Sequence, residues 1–326
     1  MRRALAIALM AMLPFAAAAQ TPSTGSGQAY PTKPVRLIVP FGAGGPGDAI
    51  GRMIGKQLTE SFGQPVVIDN RSGATTLIGS EIAARSPPDG HTLLLLSTTH
   101  AVNPSLFKKL PYDPVRDFAP VTLITATPFM LSVHPSVAAH SVAELITLAR
   151  NKPGTLNYGS SGAGSSIHLT TELLKAAANI QLTHVPYKGS GPAFIDLIAG
   201  QIQLLFSSTV STLPHVKSGK LRGLAITSLK RAPALPETPT IAETYAGFES
   251  SSWFGLLAPA KTPPAVIERL LKDTRAALKS NEVNQALRSQ GAEPGGLSST
   301  EFAAYFQAEI KKWGGVVKSA GLQLDQ

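Results

Sequence analysis

The feature that most constrains this chain is a largely apolar segment that runs into a glycine-rich loop. Residues 35–39 form the apolar run, and four glycines follow between residues 42 and 47. Beyond them, apolar side chains recur at helical spacing from Ile50 to Leu58. This pattern predicts a buried strand, a tight loop and an amphipathic helix. Because backbone N–H groups at such a helix start point outward beside the positive end of the helix dipole, the loop is suited to binding an anion.

Two other interpretations of the same loop stay open from the residues alone. Gly42, Gly44 and Gly47 fit the G-x-G-x-x-G pattern of dinucleotide-binding loops, and Asp69 ends the next predicted strand, where a ribose contact is expected. A plain tight turn with a helix cap also fits. Pro46 counts against the nucleotide because it stiffens a loop whose amides must approach a pyrophosphate. Capture of a smaller anion is therefore favoured.

The N-terminus has the layout of a secretory signal peptide. Two arginines precede an apolar run at residues 4–15, and a small-residue cleavage site ends at Ala19. This run is too short to span a bilayer. We therefore expect residues 1–19 to be a signal peptide cleaved near Ala19, residues 20–29 to be a flexible leader, and the mature protein to be periplasmic.

Composition excludes several classes of function. The chain has no cysteine, which removes disulfides, thiolate metal sites and cysteine nucleophiles. Its net charge is +9, or +7 after loss of the two arginines of the predicted signal, but lysine and arginine are scattered, so no nucleic-acid partner is expected. None of the seven histidines forms H-x-x-x-H or H-E-x-x-H. We therefore expect neither a metal site nor a cofactor.

Strands and helices alternate from Tyr30 onward, which predicts an α/β fold with mostly parallel strands. A strand at residues 121–127 is expected to end at Pro128, and a second unit then begins with a strand at residues 129–133. This second unit contains another glycine- and serine-rich loop, at residues 159–166, between a strand and a helix. The chain therefore offers two helix starts, one in each of two lobes. Lobe 1 is assigned to residues 30–127 and 250–326, and lobe 2 to residues 128–249.

Other polar residues follow predicted strands and should emerge at the same sheet edges. Thr98 and Thr99 end one strand, and Tyr187 lies in a polar loop after another. Ligands collect at the carboxyl ends of parallel strands, so these side chains are expected near the glycine loops. Asp48 is either a wall of the pocket or a carboxylate stabilised by the helix dipole. The serine-rich loop does not fit G-x-S-x-G, so no local pattern favours a hydrolase.

A series of motifs resembles one family from about Tyr30 to the C-terminus. The chain is similar to the Bug-type receptors, the periplasmic solute-binding proteins of tripartite tricarboxylate transporters. The matching stretches are Pro-Val-Arg-Leu-Ile-Val-Pro-Phe at 34–41, Gly-Gly-Pro-Gly-Asp at 44–48, Gly-Gln-Pro-Val-Val-Ile-Asp-Asn-Arg at 63–71, Pro-Asp-Gly-His-Thr-Leu-Leu at 88–94, His-Ala-Val-Asn-Pro-Ser-Leu at 100–106, Leu-Pro-Tyr-Asp-Pro-Val-Arg-Asp-Phe at 110–118, Tyr-Gly-Ser-Ser-Gly-Ala-Gly-Ser at 158–165, Val-Pro-Tyr-Lys-Gly at 185–189 and Leu-Pro-His-Val-Lys-Ser-Gly-Lys-Leu-Arg at 213–222.

The resemblance implies a two-lobed periplasmic-binding-protein fold of type II, with the ligand cleft between the lobes and no catalysis. It implies a small mono- or dicarboxylate ligand and a pair of integral membrane transporter subunits as partners for a monomeric receptor. The residues implied to bind the ligand are Phe41, Gly42, Ala43, Gly44, Gly45 and Asp48 in lobe 1, Ser160, Ser161, Gly162, Ala163, Gly164 and Ser165 in lobe 2, and Thr98, Thr99, Tyr187 and Ser207 as further lining.

The sequence departs from the family pattern at two places. Gly47 stands where threonine or serine is frequent, and Ser207 and Ser208 stand where several members carry an aspartate that faces an amino group. We therefore expect a carboxylate ligand without an ammonium group. Two alternatives stay open: an exported serine hydrolase using Ser161 or Ser165 with a distant histidine, and a ligand sensor that serves a signalling partner.

Overall fold

The computed structural model describes residues 30–233, 235–289 and 291–322. Strands and helices alternate along this part of the chain. The strands are β1 Val35–Val39, β2 Val66–Asn70, β3 Thr92–Ser97, β4 Phe118–Val133, β5 Asn157–Ser160, β6 Thr183–Pro186, β7 Leu204–Ser208, β8 Arg222–Ile226, β9 Ser251–Pro259 and β10 Glu293–Pro294. The helices are α1 Pro46–Phe62, α2 Leu77–Ala84, α3 Thr98–Leu106, α4 Val142–Asn151, α5 Ser166–Ala178, α6 Ser190–Ile198, α7 Thr209–Lys217, α8 Pro264–Lys279, α9 Asn281–Ser289 and α10 Ser299–Ser319. Single 3₁₀ turns lie at Ala74–Thr76 and Ile241–Glu243.

The strands of lobe 1 lie side by side in the order β2-β1-β3-β9-β4, and β10 pairs with the outer edge of β4. β1 is parallel to β2 and β3, whereas β9 is antiparallel to both β3 and β4. Alternation along β1 sends Leu37 and Ile38 into different apolar clusters, one on each face of the sheet. This double burial explains why β1 and β3 read as near-continuous apolar runs.

The strands of lobe 2 lie in the order β4-β7-β5-β6, with β8 also pairing with β4. β5 is parallel to β6 and β7, and β4 is antiparallel to β7 and β8. The prediction of mostly parallel strands was therefore wrong: the sheet is mixed. The reason is that β9 runs against β3 and β4 in lobe 1, and that β4, which continues into lobe 2, runs against β7 and β8 there.

One continuous strand connects the two lobes. β4 pairs with β9 as far as the partners Pro128 and Ser251, and then with β7 from the partners Phe129 and Ser208. The predicted break at Pro128 was wrong. A proline lacks a backbone N–H, but here it lies where the strand changes partners, so the backbone remains extended through it.

The apolar cores follow this division. One cluster contains buried side chains from Phe129 to Phe248, and two others contain side chains from before Thr125 and after Ser252. α10 carries several aromatic side chains, and Phe302, Phe306 and Trp313 are buried in one of these clusters. Leu169 of α5 is buried in the same cluster, so a helix of lobe 2 packs against lobe 1. The lobe limits at 127/128 and 249/250 stay a prediction.

In the described part of the chain, no helix combines the length and the apolar character that a bilayer crossing requires. The predicted signal peptide and leader lie outside the described residues.

Candidate functional site

The loop between β1 and α1 is held by its own backbone. Gly44 has a left-handed backbone with φ +82°, and the Gly45 N–H donates to the Gly42 carbonyl at 3.4 Å. Pro46 occupies the first turn of α1, where its missing N–H costs nothing. Gly42, Ala43 and Gly44 are exposed. The loop therefore presents backbone at the start of a helix of 17 residues.

Asp48 supports this loop from beneath. Asp48 is 4% exposed, and its carboxylate accepts hydrogen bonds from the Gly44 N–H at 2.9 Å, from Arg52 Nε at 3.0 Å and from Asn70 Nδ2 at 3.0 Å. The hydrogen bond from Arg52, with that from Gly44, lowers the pKa of Asp48 to about 2. With these partners inside the protein, Asp48 fixes the loop and the start of α1, and a direct ligand contact is not needed to explain it.

Phe41 lies over the first turn of α1 because residue 47 is glycine. A Cβ at Gly47 would be 2.4 Å from Phe41 Cδ2. The ring also makes an edge contact with Phe254 of β9, with centroids 5.8 Å apart. The departure from the family pattern at Gly47 therefore has a packing reason, which is room for the Phe41 ring.

The loop between β5 and α5 repeats the arrangement in lobe 2. Gly162 and Gly164 have left-handed backbones, with φ +133° and +74°. Ser165 is the N-cap of α5, and its Oγ accepts from the His168 N–H at 3.3 Å. Ser160 is fully buried, and its Oγ is bonded to both the N–H and the carbonyl of Gly162 at 3.1 Å. Of the six predicted residues, Ser161 to Ser165 form the accessible part, whereas Ser160 shapes the loop from below.

The other predicted lining residues lie at the same edges. Thr98 starts α3, and its Oγ1 donates to the Ser251 carbonyl at 3.3 Å and accepts from the Trp253 N–H at 3.1 Å. Thr99 is half-buried in the first turn of α3. From the sequence, Thr98 and Thr99 were expected at the end of a strand. Because the Ser97 side chain accepts from the Thr99 N–H and caps the helix, both residues lie instead in the first turn of α3.

Tyr187 and Ser207 occupy different positions in lobe 2. The Tyr187 backbone N–H donates to the Ser160 carbonyl at 3.1 Å, which places it beside the Gly/Ser loop. Its hydroxyl donates to Asp196 Oδ2 at 2.7 Å; burial and this carboxylate raise the pKa of Tyr187 to about 12. Ser207 is buried on β7 opposite Met130 of β4, next to the crossing between the lobes.

Two hydrogen bonds tie α5 of lobe 2 to the start of α3 in lobe 1 through the consecutive residues Ser250 and Ser251. Thr170, one turn into α5, lies 2.6 Å from Ser250 through their side-chain oxygens. The next residue, Ser251, accepts from Thr98 of α3. The Gly/Ser loop is therefore only about one helical turn from a residue that is tied to lobe 1.

Two groups of residues were missed as supports of the site. His184 of β6 lies 2.6 Å from Ser160 Oγ, and no local signal in the sequence indicates this contact. Gly73–Thr76 has four consecutive left-handed residues, and Asn103 Nδ2 donates to the Thr75 carbonyl at 2.9 Å. Non-glycine residues pay strain for this conformation. Because glycine alone adopts such a backbone without strain, the residue types at 74–76 give no indication of it.

The competing chemistries find little support in these contacts. Asp69, the proposed ribose ligand, is paired with Arg36 and Arg71. Ser165 is a helix cap, and the serine of this loop region that is bonded to a histidine side chain is Ser160 rather than Ser161. Among the described residues, no group of His, Asp and Glu is arranged to hold a metal ion.

Comparisons with known proteins agree on one family. A model of the tripartite tricarboxylate transporter family receptors matches residues 50–322. Protein BugT of Bordetella pertussis is 37% identical over 95% of this chain and 96% of its own length. Rpa4515 of R. palustris, solved with adipate, is 41% identical with a TM-score of 0.76, covering 90% of this chain and 100% of that one. MatC of Rhodopseudomonas palustris, solved with bound malate, is 32% identical with a TM-score of 0.72, covering 88% and 100%.

These relatives share the architecture described above, a two-lobed α/β periplasmic-binding-protein fold. They are solute-binding receptors and not enzymes, so the serine hydrolase alternative was wrong. The resemblance noted in the sequence is confirmed. The chain belongs to the receptor family of the tripartite tricarboxylate transporters.

Proposed function

We propose that this protein captures a small mono- or dicarboxylate between its lobes and delivers it to the integral membrane subunits of a tripartite transporter. The observation that carries the proposal is the pair of glycine loops, each leading into a long helix: α1 of 17 residues and α5 of 13 residues. Two such helix starts supply backbone donors and positive dipole ends to a ligand with one or two carboxylates. The adipate and malate in two relatives fit this chemistry.

The proposed contacts are made by the loop residues Phe41 to Gly45 and Ser161 to Ser165, with Thr98, Thr99, Tyr187 and Ser207 as further lining. Asp48 and Ser160 act through the loops that they hold. Since much of this grip comes from backbone groups, chain length and polar substituents of the ligand are read by few side chains.

The ligand is proposed to lack an ammonium group. An ammonium needs an acidic partner in a dry cleft. Asp48 is committed to Gly44, Arg52 and Asn70, and β7 ends in Ser207 and Ser208 without a carboxylate. The residues that we assign to the cleft therefore offer no unpaired carboxylate that could bind a ligand ammonium group.

Isothermal titration calorimetry with a matched panel tests this function. Adipate, succinate and malate are compared with adipamide and succinamide, which have the same length but no charge, and with aspartate and glutamate. We expect the dicarboxylates to bind and the diamides to fail. Binding of the diamides at equal strength would refute the anion site, and an amino acid that binds tighter than every plain carboxylate would refute the absence of an ammonium partner.

Transport and export are tested separately. N-terminal sequencing of the periplasmic form should begin just after Ala19, and light scattering should give the mass of a monomer. Uptake of the bound carboxylate by vesicles that contain the membrane subunits should require this protein. If uptake does not depend on it while binding persists, the alternative of a sensor for a signalling partner is favoured.

A further inference from the structure

Two imidazole rings lie stacked beneath the Gly/Ser loop of lobe 2. His168 belongs to the first turn of α5, and His184 lies on β6. Their ring centroids are 3.9 Å apart and their planes differ by 8°. Tyr158 of β5 lies beside both rings, with its centroid 4.8 Å from that of His184 and 6.1 Å from that of His168. The rings therefore form a rigid support under a loop that itself contains two left-handed glycines.

His168 contacts the loop at Gly164. The Gly164 N–H donates to His168 Nδ1 at 3.0 Å. Because an amide N–H can only donate, Nδ1 must carry a lone pair, and a neutral ring then has its proton on Nε2. That nitrogen lies 3.8 Å from Glu172 Oε1. If Nδ1 were protonated, its N–H would face the Gly164 N–H, and this hydrogen bond would be lost.

His184 contacts the loop at Gly162 through Ser160. His184 Nε2 lies 2.6 Å from Ser160 Oγ, and the same oxygen accepts from the Gly162 N–H at 3.1 Å. The two rings thus fix two different glycines of one loop. Their face-to-face stacking also disfavours a charge on both rings at once.

The charged groups around the two rings are already paired, so they stabilise a protonated imidazole only weakly. Glu172 Oε1 accepts from Tyr158 at 2.5 Å and from Lys175 Nζ at 2.7 Å, so this carboxylate is already paired. On α10, which packs against α5, the charged groups Glu309 and Lys312 are paired with each other. Burial, with His184 nearby, lowers the pKa of His168 to about 4, and burial lowers the pKa of His184 below its usual value.

We propose that His168 and His184 are positioning residues for ligand binding, which hold the Gly162 and Gly164 amides in place and do so only while His168 is neutral. This inference rests on the proposed role of the loop in gripping a carboxylate. Neither ring has to touch the ligand.

Substitution of each histidine by asparagine or glutamine separates the hydrogen bond made by one ring nitrogen from the packing of the side chain. The amide of asparagine lies where Nδ1 of histidine lies, and the amide of glutamine reaches the place of Nε2. His168→Asn therefore keeps an acceptor for Gly164, whereas His168→Gln moves it away. His184→Gln keeps a partner for Ser160, whereas His184→Asn does not. We expect the matched variants His168→Asn and His184→Gln to bind dicarboxylate almost as the unchanged protein does. The mismatched variants His168→Gln and His184→Asn should each bind about tenfold or more weakly.

The exposed His140, in the turn before α4, supplies the control His140→Asn. Melting temperatures of the ligand-free variants are measured with the affinities. If the matched and mismatched amides bind equally, or if affinity falls only in proportion to melting temperature, the positioning role is overturned.

The pH dependence gives a second readout. The unfolded chain binds a proton at His168 near pH 6.5, while the folded protein stays neutral there until about pH 4, so its melting temperature should fall as the pH is lowered between these values. His168→Asn should remove part of this fall. The carboxylate ligand also takes up protons in acid. Its affinities for the unchanged protein and for His168→Asn are therefore compared with each other at each pH.

A ligand-free measurement keeps the two proposals distinguishable. In ¹⁵N-labelled protein, the Gly164 amide resonance should shift with the titration of His168 and stay constant in His168→Asn. If no carboxylate binds at any pH, the proposed function fails and this resonance still decides the role of His168. A Gly164 resonance that does not respond to the titration overturns the inference even when the ligand binds.

Discussion

Gly44 offers the sharpest test of the lobe 1 loop, because only its backbone conformation is at stake. Its φ is +82°, and a Cβ at this position would have no neighbour within 4 Å. Gly44→Ala therefore adds no clash, and its cost is the strain of a left-handed L-residue, about 1–2 kcal/mol. If the loop relieves the strain by leaving the binding conformation, the apparent affinity falls by about 5- to 30-fold.

The variant Gly42→Ala is the matched control. Gly42 also has open space where a Cβ would lie, but its φ is not positive. Without ligand, we expect Gly44→Ala to lower the melting temperature and Gly42→Ala to leave it almost unchanged. A methyl group at residue 42 still meets any ligand that sits against the loop, so the comparison of stability and affinity together locates the ligand.

Calorimetry with adipate and a thermal melt of each ligand-free variant are the required measurements. Unchanged affinity in Gly44→Ala would show either that alanine adopts this backbone without strain or that the loop does not contact the ligand. Equal melting temperatures for Gly44→Ala and the unchanged protein would point to the first explanation. The proposed loop role is refuted if the affinity is unchanged while the melting temperature falls.

Two further substitutions test the packing around the site. Gly47→Ser places a Cβ 2.4 Å from Phe41 Cδ2, so the ring must move. Such overpacking costs about 1–3 kcal/mol of folding stability. Phe41→Leu in the same background should restore the melting temperature and change the preference between short and long dicarboxylates. Equal preferences in a calorimetric panel would argue against a ring near the ligand. The buried indole N–H groups of Trp253 and Trp313 both donate to Glu309 Oε2 at 2.8 Å. Glu309→Leu removes this shared acceptor, and we expect the free energy of unfolding in urea to fall by about 3 kcal/mol or more. Glu309→Gln keeps an acceptor and should lose little. Equal losses for the two variants would contradict this account.

Much of the fold could be predicted because its signals are local. The glycines of both loops, the apolar runs of β1 and β3 and the serine cap of α10 each depend on neighbouring residues. Ser298 and Glu301 have the spacing of a capping box, and this box is formed at the start of a helix of 21 residues. The box Thr240–Glu243 is also formed, but only a 3₁₀ turn follows it. A cap thus fixes where a helix can start and leaves its length to packing.

What could not be predicted depends on partners distant in sequence. Pro128 looks like a strand breaker until β9 and β7 are known to meet on either side of it. His184 could be given no role because its partner Ser160 lies 24 residues earlier. Asp48 lies in the first turn of α1, where the sequence placed it, but Asn70 and Arg52, which hold it, could be assigned no role from spacing alone. Long-range polar pairs carry no periodic signature.

The strand order of the sheet also sets an order of events for the growing chain. β9 lies between β3 and β4 in the sheet, although Leu257 pairs with Leu94 across more than 150 residues of sequence. The strands β5 to β8 form within one uninterrupted stretch, so lobe 2 has all its strands before β9 has been made. Lobe 1 begins first and is completed last. Until residue 259 has been synthesised, β3 keeps an apolar edge without a partner, and that edge is where premature association during synthesis should be sought.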